Sequence, residues 1–444
     1  MLKTGFARVD ITPPTGLSLM GYPHYDRFNT GAHDPLYAAC MYLDNGENAV
    51  AMVTLDLLYF SKPYVMKVRK LAEEKCGIKG ENIMITCTHT HSGPRTYKNV
   101  SDDDPATAEP ARDAYVEDII VKIADLVAEA KNTAFDGEFA YNVALCGADQ
   151  GVGGNRRVPG GPHDPLVSVM AVKDMKGDLR GVLVNYTLHP TFIHEWVNEC
   201  TADYPAYLKM QIEETYPTAL SGFGQGASGN QSSRYYRNGE SFDEAERVGR
   251  AIGKAACEAI AKMNWLSDIE IKAVSTTMEM ELRDFGPIEE LEKQVEHDTA
   301  VYKELYAKYG KSEKREEYLL WQNANLKCLG SENKLSFALK MKSGGKVDRV
   351  QDESPVEIQA FNLGGLCVIG VPGEMFVEYA LYVKAMAGFG MVVFNETTNG
   401  CLPGYVHTPE ALTFGGYETD SSVIGDKFGR HMVEKILDTV EKIK

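Results

Sequence analysis

The stretch Thr88-His89-Thr90-His91-Ser92-Gly93-Pro94 carries two imidazoles two residues apart, just beyond an apolar, β-prone run at 82–86. Along an extended backbone, residues two apart point the same way, so His89 and His91 are expected to face one pocket before Gly93-Pro94 turns the chain. Paired imidazoles at the end of a buried strand can hold a metal or move a proton. A third histidine, His189, follows an apolar run at 181–188, and Glu374 follows another at 366–371. Two histidines and a carboxylate form a recognised catalytic zinc set that leaves one position open for water. Tyr405 and Tyr417 sit in a long loop at 397–420 after a further strand-like run. A phenolate beside a divalent cation is reasonable chemistry. The plain alternative is a set of core histidines and loop polar groups satisfied by backbone or water.

Such residues need strand ends that converge. The order strand at 48–57, helix at 63–75 and strand at 82–88 is a βαβ unit, which implies a parallel pair with a right-handed crossover. In such sheets ligands collect at the carboxyl ends of the strands, where Asp56 and His89 both fall. Apolar spacing over 111–131 predicts a helix, turn composition at 173–178 and 363–365 predicts two hairpins, and Ser241 with Glu244 opens a helix by a capping box. The polar, acidic stretch 101–110 reads as a solvated loop. The expected fold class is α/β, with a mixed, largely parallel central sheet or sheets flanked by helices. From 287 to 334 the composition turns to Glu, Lys, Tyr and Leu, predicting one or two long helices. They would form an insertion that caps the core or serves a contact between copies in a homo-oligomer. No repeat or linker divides the chain, so a single domain over 1–444 is expected.

Composition excludes several classes. With 44% hydrophobic and 25% charged residues, the 444-residue chain reads as an ordinary soluble globular protein. A net charge of −17 argues against a nucleic-acid partner and against docking on anionic membranes. No apolar run approaches the roughly 20 residues that span a bilayer, and Met1 to Gly5 leads straight into folded-looking sequence without a signal core. No stable membrane insertion is therefore expected, and the expected location is cytoplasmic. Nine cysteines without a CxxC pair indicate neither a disulfide framework nor a zinc knuckle.

Several short motifs, in order, resemble those of the neutral/alkaline non-lysosomal ceramidases, in their N-terminal catalytic domain. They are Val9-Asp10-Ile11-Thr12-Pro13, His33-Asp34-Pro35-Leu36, Thr88-His89-Thr90-His91-Ser92-Gly93-Pro94, Asn155-Arg156, His189-Pro190-Thr191, Ser228-Gly229-Asn230, Pro372-Gly373-Glu374 and Tyr405-Val406-His407-Thr408-Pro409-Glu410. The resemblance implies one zinc ion per chain, held by His89, His189, Glu374 and Tyr405. It places His91 against the substrate carbonyl, with Arg156 and Tyr417 beside it; Tyr417 lies twelve positions past Tyr405, as in the family. Ser228 would match a serine sometimes assigned as a nucleophile, although the family's following proline is Gly229 here. The implied reaction is cleavage of a linear amide by metal-activated water, on a small-molecule or lipid-like acyl substrate such as a sphingolipid. The chain would be a short form without the family's C-terminal immunoglobulin-like domain.

Two competing readings stand beside that one. A cytoplasmic hydrolase could take a soluble ester, lactone or sugar-derived amide with the same residues. A non-catalytic binding protein could keep the fold, although every ligand position here is filled by a competent residue. His33 and His194 are further candidates to approach the site, and Asp56 and Asp10 to orient ligands or cap turns. His24, His163, His297, His407 and His431 are given no chemical role.

Overall fold

The computed structural model describes residues 1–22, 24–97, 109–312 and 314–444. The acidic stretch 101–110 lies mostly outside them. An eight-stranded sheet runs in the order Leu220–Gln225, Leu179–Tyr186, Leu166–Asp174, Phe135–Leu145, Lys3–Asp10, Tyr37–Asp44, Ala49–Leu55, Ile83–Cys87. A four-stranded sheet has the order Ile271–Met278, Val356–Leu363, Leu366–Gly370, Met391–Asn395. Strict alternation makes both faces of these strands apolar. Ala51, Val53 and Leu55 face one core while Val50 and Met52 face another. Helices Lys62–Cys76, Pro110–Asn132, Tyr204–Thr215 and Phe242–Ile260 cover the first core. The second, with Met41, Phe139, Phe361 and Val368, glues the two sheets together. Helices Val377–Met386 and Phe428–Glu441 close the far face of the smaller sheet.

The mixed α/β class is as expected, but the strands are not largely parallel. In the large sheet only the two outermost pairings, Ala49–Leu55 with Ile83–Cys87 and Leu179–Tyr186 with Leu220–Gln225, are parallel. Each has a helix as its crossover. The interior pairings are antiparallel because short turns, such as those between Asp44 and Ala49 and between Asp174 and Leu179, join neighbours directly. In the smaller sheet only Leu366–Gly370 with Met391–Asn395 is parallel.

The large sheet also curls strongly. Strand Leu220–Gln225 packs back against Tyr37–Asp44, Ala49–Leu55 and Ile83–Cys87. Gly222 permits this approach, since a Cβ there would sit 2.4 Å from the Thr54 hydroxyl. The curl carries the loops that follow Cys87 and Tyr186 into one neighbourhood. The 287–334 insertion is a pair of helices, Ile288–Tyr309 and Arg315–Lys342, the second running beyond the expected end.

Candidate metal site

Strand Ile83–Cys87 stops two residues before His89, and the chain bends there instead of staying extended. His89 takes a left-handed conformation at φ 63°, which costs a non-glycine residue about 1–2 kcal/mol. His89 and His91 therefore share a pocket through a bend, not through strand alternation. The bend is pinned on both sides. His89 N–H donates to the Leu57 carbonyl at 2.9 Å, and Arg27 donates to the His91 carbonyl at 2.5 Å. Gly21 lies so close to His91 that a Cβ would clash at 2.4 Å.

Each ligand-type imidazole is oriented by backbone. His89 Nδ1 lies 3.2 Å from the Leu58 carbonyl, and His189 Nδ1 lies 2.8 Å from the Ser228 carbonyl. Both contacts spend Nδ1 and leave Nε2 facing inward. Glu374 Oε2 lies 3.3 Å from His89 Nε2 and 3.1 Å from His189 Nε2. His91 Nε2 lies 3.4 Å from His89 Nε2, and the ligand nitrogens of His89, His91 and His189 lie within 4.8 Å of one another. Tyr405 arrives by pairing: Glu374–Met375 and Tyr405–Val406 form a two-residue parallel ladder with Glu374 opposite Tyr405. The group His89, His91 and His189 could hold a metal ion.

The electrostatics suit that use. Burial pushes the His91 and His189 imidazoles down, His189 to about 3, so both stay neutral with a lone pair available. Burial opposes charge on Glu374, yet the His89 and His189 imidazoles hold its carboxyl well below the usual range. Burial raises the Tyr417 hydroxyl to about 12, which leaves it a proton donor.

Around this centre stand the other expected residues. Arg156 donates to the Gly229 carbonyl at 2.8 Å. Its Nε lies 2.8 Å from Glu418 Oε1, an ion pair that lacks the alignment of a hydrogen bond. The guanidinium also lies 5.6 Å from the Tyr405 ring centroid, and the Tyr405 and Tyr417 rings are 6.2 Å apart. Ser228 is fully buried and donates to Glu396, away from the cavity. Gly229 allows its loop to reach the Glu374 backbone, since a Cβ would meet the Glu374 carbonyl at 2.8 Å.

A cavity of about 440 Å³ opens over the histidines, lined among others by His89, His91, Arg156, Glu374, Tyr405 and Tyr417. The helix Arg315–Lys342 roofs it with Tyr318, Leu326 and Phe337. His194 and His24 also line the cavity, whereas His33 stacks on Phe242 at 3.7 Å. Asp56 pairs with Lys209, and Asp10 caps the Thr12 N–H locally.

Sequence reasoning missed Tyr59, whose hydroxyl donates to Glu374 Oε1. It also missed Glu418, where burial works to raise the carboxyl but the guanidinium groups of Arg156, Arg157 and Arg234 hold it at about 2. Tyr59 had a signal in its position just past the strand that ends at Leu55. Glu418 had one in following Tyr417.

Residues 2–142 match the family described as neutral/alkaline non-lysosomal ceramidase, N-terminal. The chain resembles the neutral/alkaline ceramidases. A solved structure of the neutral ceramidase from Pseudomonas aeruginosa superposes on 99% of this chain and 74% of its own, with TM-score 0.73 and 18% identity. A second, described as a ceramidase complexed with C2, matches over the same shares with TM-score 0.72 and 18% identity. At that identity the likeness is one of fold. The ceramidase sequence match contains His89 and His91, while His189, Glu374 and Tyr405 lie in the part matched by fold alone.

Proposed function

We propose that the chain is a zinc-dependent hydrolase cleaving the amide bond of a ceramide-like lipid or related N-acyl compound. The approach of Glu374 Oε2 to within 3.3 Å of His89 and 3.1 Å of His189, beside a cavity that His89 and Glu374 line, carries this reading. The donor set fits the metal, with imidazoles fixed by their Nδ1 contacts, an anionic carboxylate and a phenol opposite it. One ion held by His89, His189, Glu374 and Tyr405 would polarise the acyl carbonyl and lower the pKa of water towards about 7.

The reaction adds water to the acyl carbon, forms a C–O bond, breaks the C–N bond, and releases a carboxylate and a protonated amine. Neutral His91 faces the cavity and can donate to, or take a proton from, the reacting groups. Arg156, fixed by Glu418 and Gly229, presents a cation where negative charge develops on the carbonyl oxygen, and Tyr417 adds a neutral donor. We assign Ser228 to positioning, through its carbonyl on His189. The test is elemental analysis of wild type beside His189→Ala and Glu374→Ala, with an assay on N-acyl substrates. About one zinc per chain, lost in both variants together with turnover, is expected. Wild type that takes up no zinc would overturn the reading.

A second reading within the same chemistry is a soluble ester, lactone or sugar-derived amide. Arg234, Arg237 and Arg349 in the cavity wall favour it, because they suit a polar substrate better than a second alkyl chain. Comparing kcat/KM across acyl chain lengths separates the two.

A further inference from the structure

The segment after the roof helix returns to the cavity at Asp348 and Arg349. Arg349 adopts a left-handed backbone, φ 70°, to begin the short helix Val350–Glu353. Its guanidinium lies between two aromatic rings, 5.3 Å from the Tyr59 centroid and 5.0 Å from the Tyr97 centroid. The rings cover the cation but accept none of its N–H groups in ordinary hydrogen bonds. Nε and Nη1 are shielded from solvent and have no hydrogen-bond acceptor among the described residues; the guanidinium's contact with the Cys401 thiol offers only a weak acceptor. By contrast, Arg237 donates to the Thr191 carbonyl and to Glu240, and Arg156 donates to Gly229.

The neighbouring carboxylates are engaged elsewhere. Asp348 lies 3.7 Å from Lys340. Glu353 feels the Arg349 cation electrostatically, but its carboxylate accepts hydrogen bonds from the Lys62 and Cys401 N–H groups at 3.1 and 2.9 Å. Glu374 is held by the histidines and Tyr59. A guanidinium whose donors are shielded from water and unmet is costly to keep, and an anion in its plane is the partner that satisfies it.

We infer that Arg349 seats an anionic substituent of the acyl substrate, a carboxylate, sulfonate or phosphate, at a fixed distance from the scissile bond. The Tyr59 ring links the two places: its face meets Arg349, its edge region meets His89 at 5.1 Å between centroids, and its hydroxyl meets Glu374. An anion on Arg349 and an acyl carbon over the histidines are thus bridged by the Tyr59 ring, an arrangement that suits a substituted amine or acyl group. The inference rests on the hydrolase reading and narrows its substrate class.

The experiment compares kcat/KM of zinc-loaded wild type, Arg349→Leu and Arg349→Lys on three matched amides. These are an N-acylglycine, an N-acylaminomethylphosphonate and a neutral N-acylethanolamine. Wild type is expected to prefer the anionic members by about ten- to a hundredfold. That ratio should collapse in Arg349→Leu through KM and be partly kept in Arg349→Lys; the better anionic member identifies the head group. No anionic preference in wild type, or a preference unchanged in Arg349→Leu, overturns the subsite. If no amide is turned over, the hydrolase reading fails, and calorimetric binding of N-acylglycine decides the subsite by itself. Binding weakened at least tenfold in Arg349→Leu supports it, and equal binding overturns it. Matching thermal melts establish that both variants are folded.

Discussion

Tyr59 donates its hydroxyl to Oε1 of Glu374, while Oε2 of the same carboxylate faces both His89 and His189. The two oxygens are thereby assigned different tasks. Oε1 is occupied, so the carboxylate cannot rotate, and Oε2 is directed at the imidazoles. Burial pushes the Tyr59 hydroxyl well above its ordinary value, so it remains a donor. Tyr59→Phe should weaken zinc affinity by about ten- to a hundredfold, the usual cost of losing a hydrogen bond that orients a ligand. Competition with a chromogenic chelator measures this, and an unchanged affinity would show that the tyrosine merely packs there.

The three histidines should divide into two functional groups. His189→Ala removes a nitrogen whose partner Nδ1 is fixed on the Ser228 carbonyl, and it should abolish metal retention. His91 Nδ1 has no hydrogen-bond partner among the described residues, so its ring lacks the orientation that marks a ligand. His91→Ala should keep the metal and lose about a hundred- to a thousandfold in kcat. Zinc analysis on both proteins decides it, and zinc lost from His91→Ala would make His91 a ligand.

Much of this site was legible in the sequence because its parts sit at strand ends, where apolar runs stop and His or Glu begins. His89, His189 and Glu374 follow the strands ending at Cys87, Tyr186 and Gly370. The direction of the strands was less legible, since alternation reports burial on two faces but not which neighbour pairs with which. The bend at His89 was hidden because its left-handed φ depends on contacts with Leu57 and Arg27, far away in sequence. The contact between Tyr59 and Arg349 was hidden for a related reason. A tyrosine after a strand and an arginine in a Gly-Lys-rich loop are common, and only the fold stacks one on the other.

Arg156 depends on Glu418 for its place. The carboxylate lies 2.8 Å from Arg156 Nε and 2.7 Å from an Arg157 terminal nitrogen, and all three side chains are largely buried. Glu418→Gln leaves two buried cations short of their anion and should destabilise the fold by about 3–5 kcal/mol. Because the folded carboxyl titrates at about 2, well below its ordinary value, its contribution is present at neutral pH. It is lost as pH falls from about 4.5 through 2. Urea denaturation at pH 7 should show the deficit, and kcat should fall with it. A variant as stable as wild type would sever the link between Glu418 and the arginines.

Glu353 gives the opposite pH dependence. Burial pushes its carboxyl up to about 7, against the lowering effect of the Cys401 and Lys62 N–H groups. Between the ordinary value of 4.5 and about 7 the folded chain binds more protons than the unfolded one. Stability therefore falls as pH rises through this window, by up to about 3 kcal/mol, and the cost is absent below it. Glu353→Gln removes the titration while keeping one acceptor oxygen. Its stability relative to wild type should improve steadily from pH 4.5 to 8, on top of a constant offset for the exchanged N–H contact. Urea midpoints at pH 4.5, 6 and 8 test the slope. A difference that stays flat across the three would mean that Glu353 is already ionised in the folded protein.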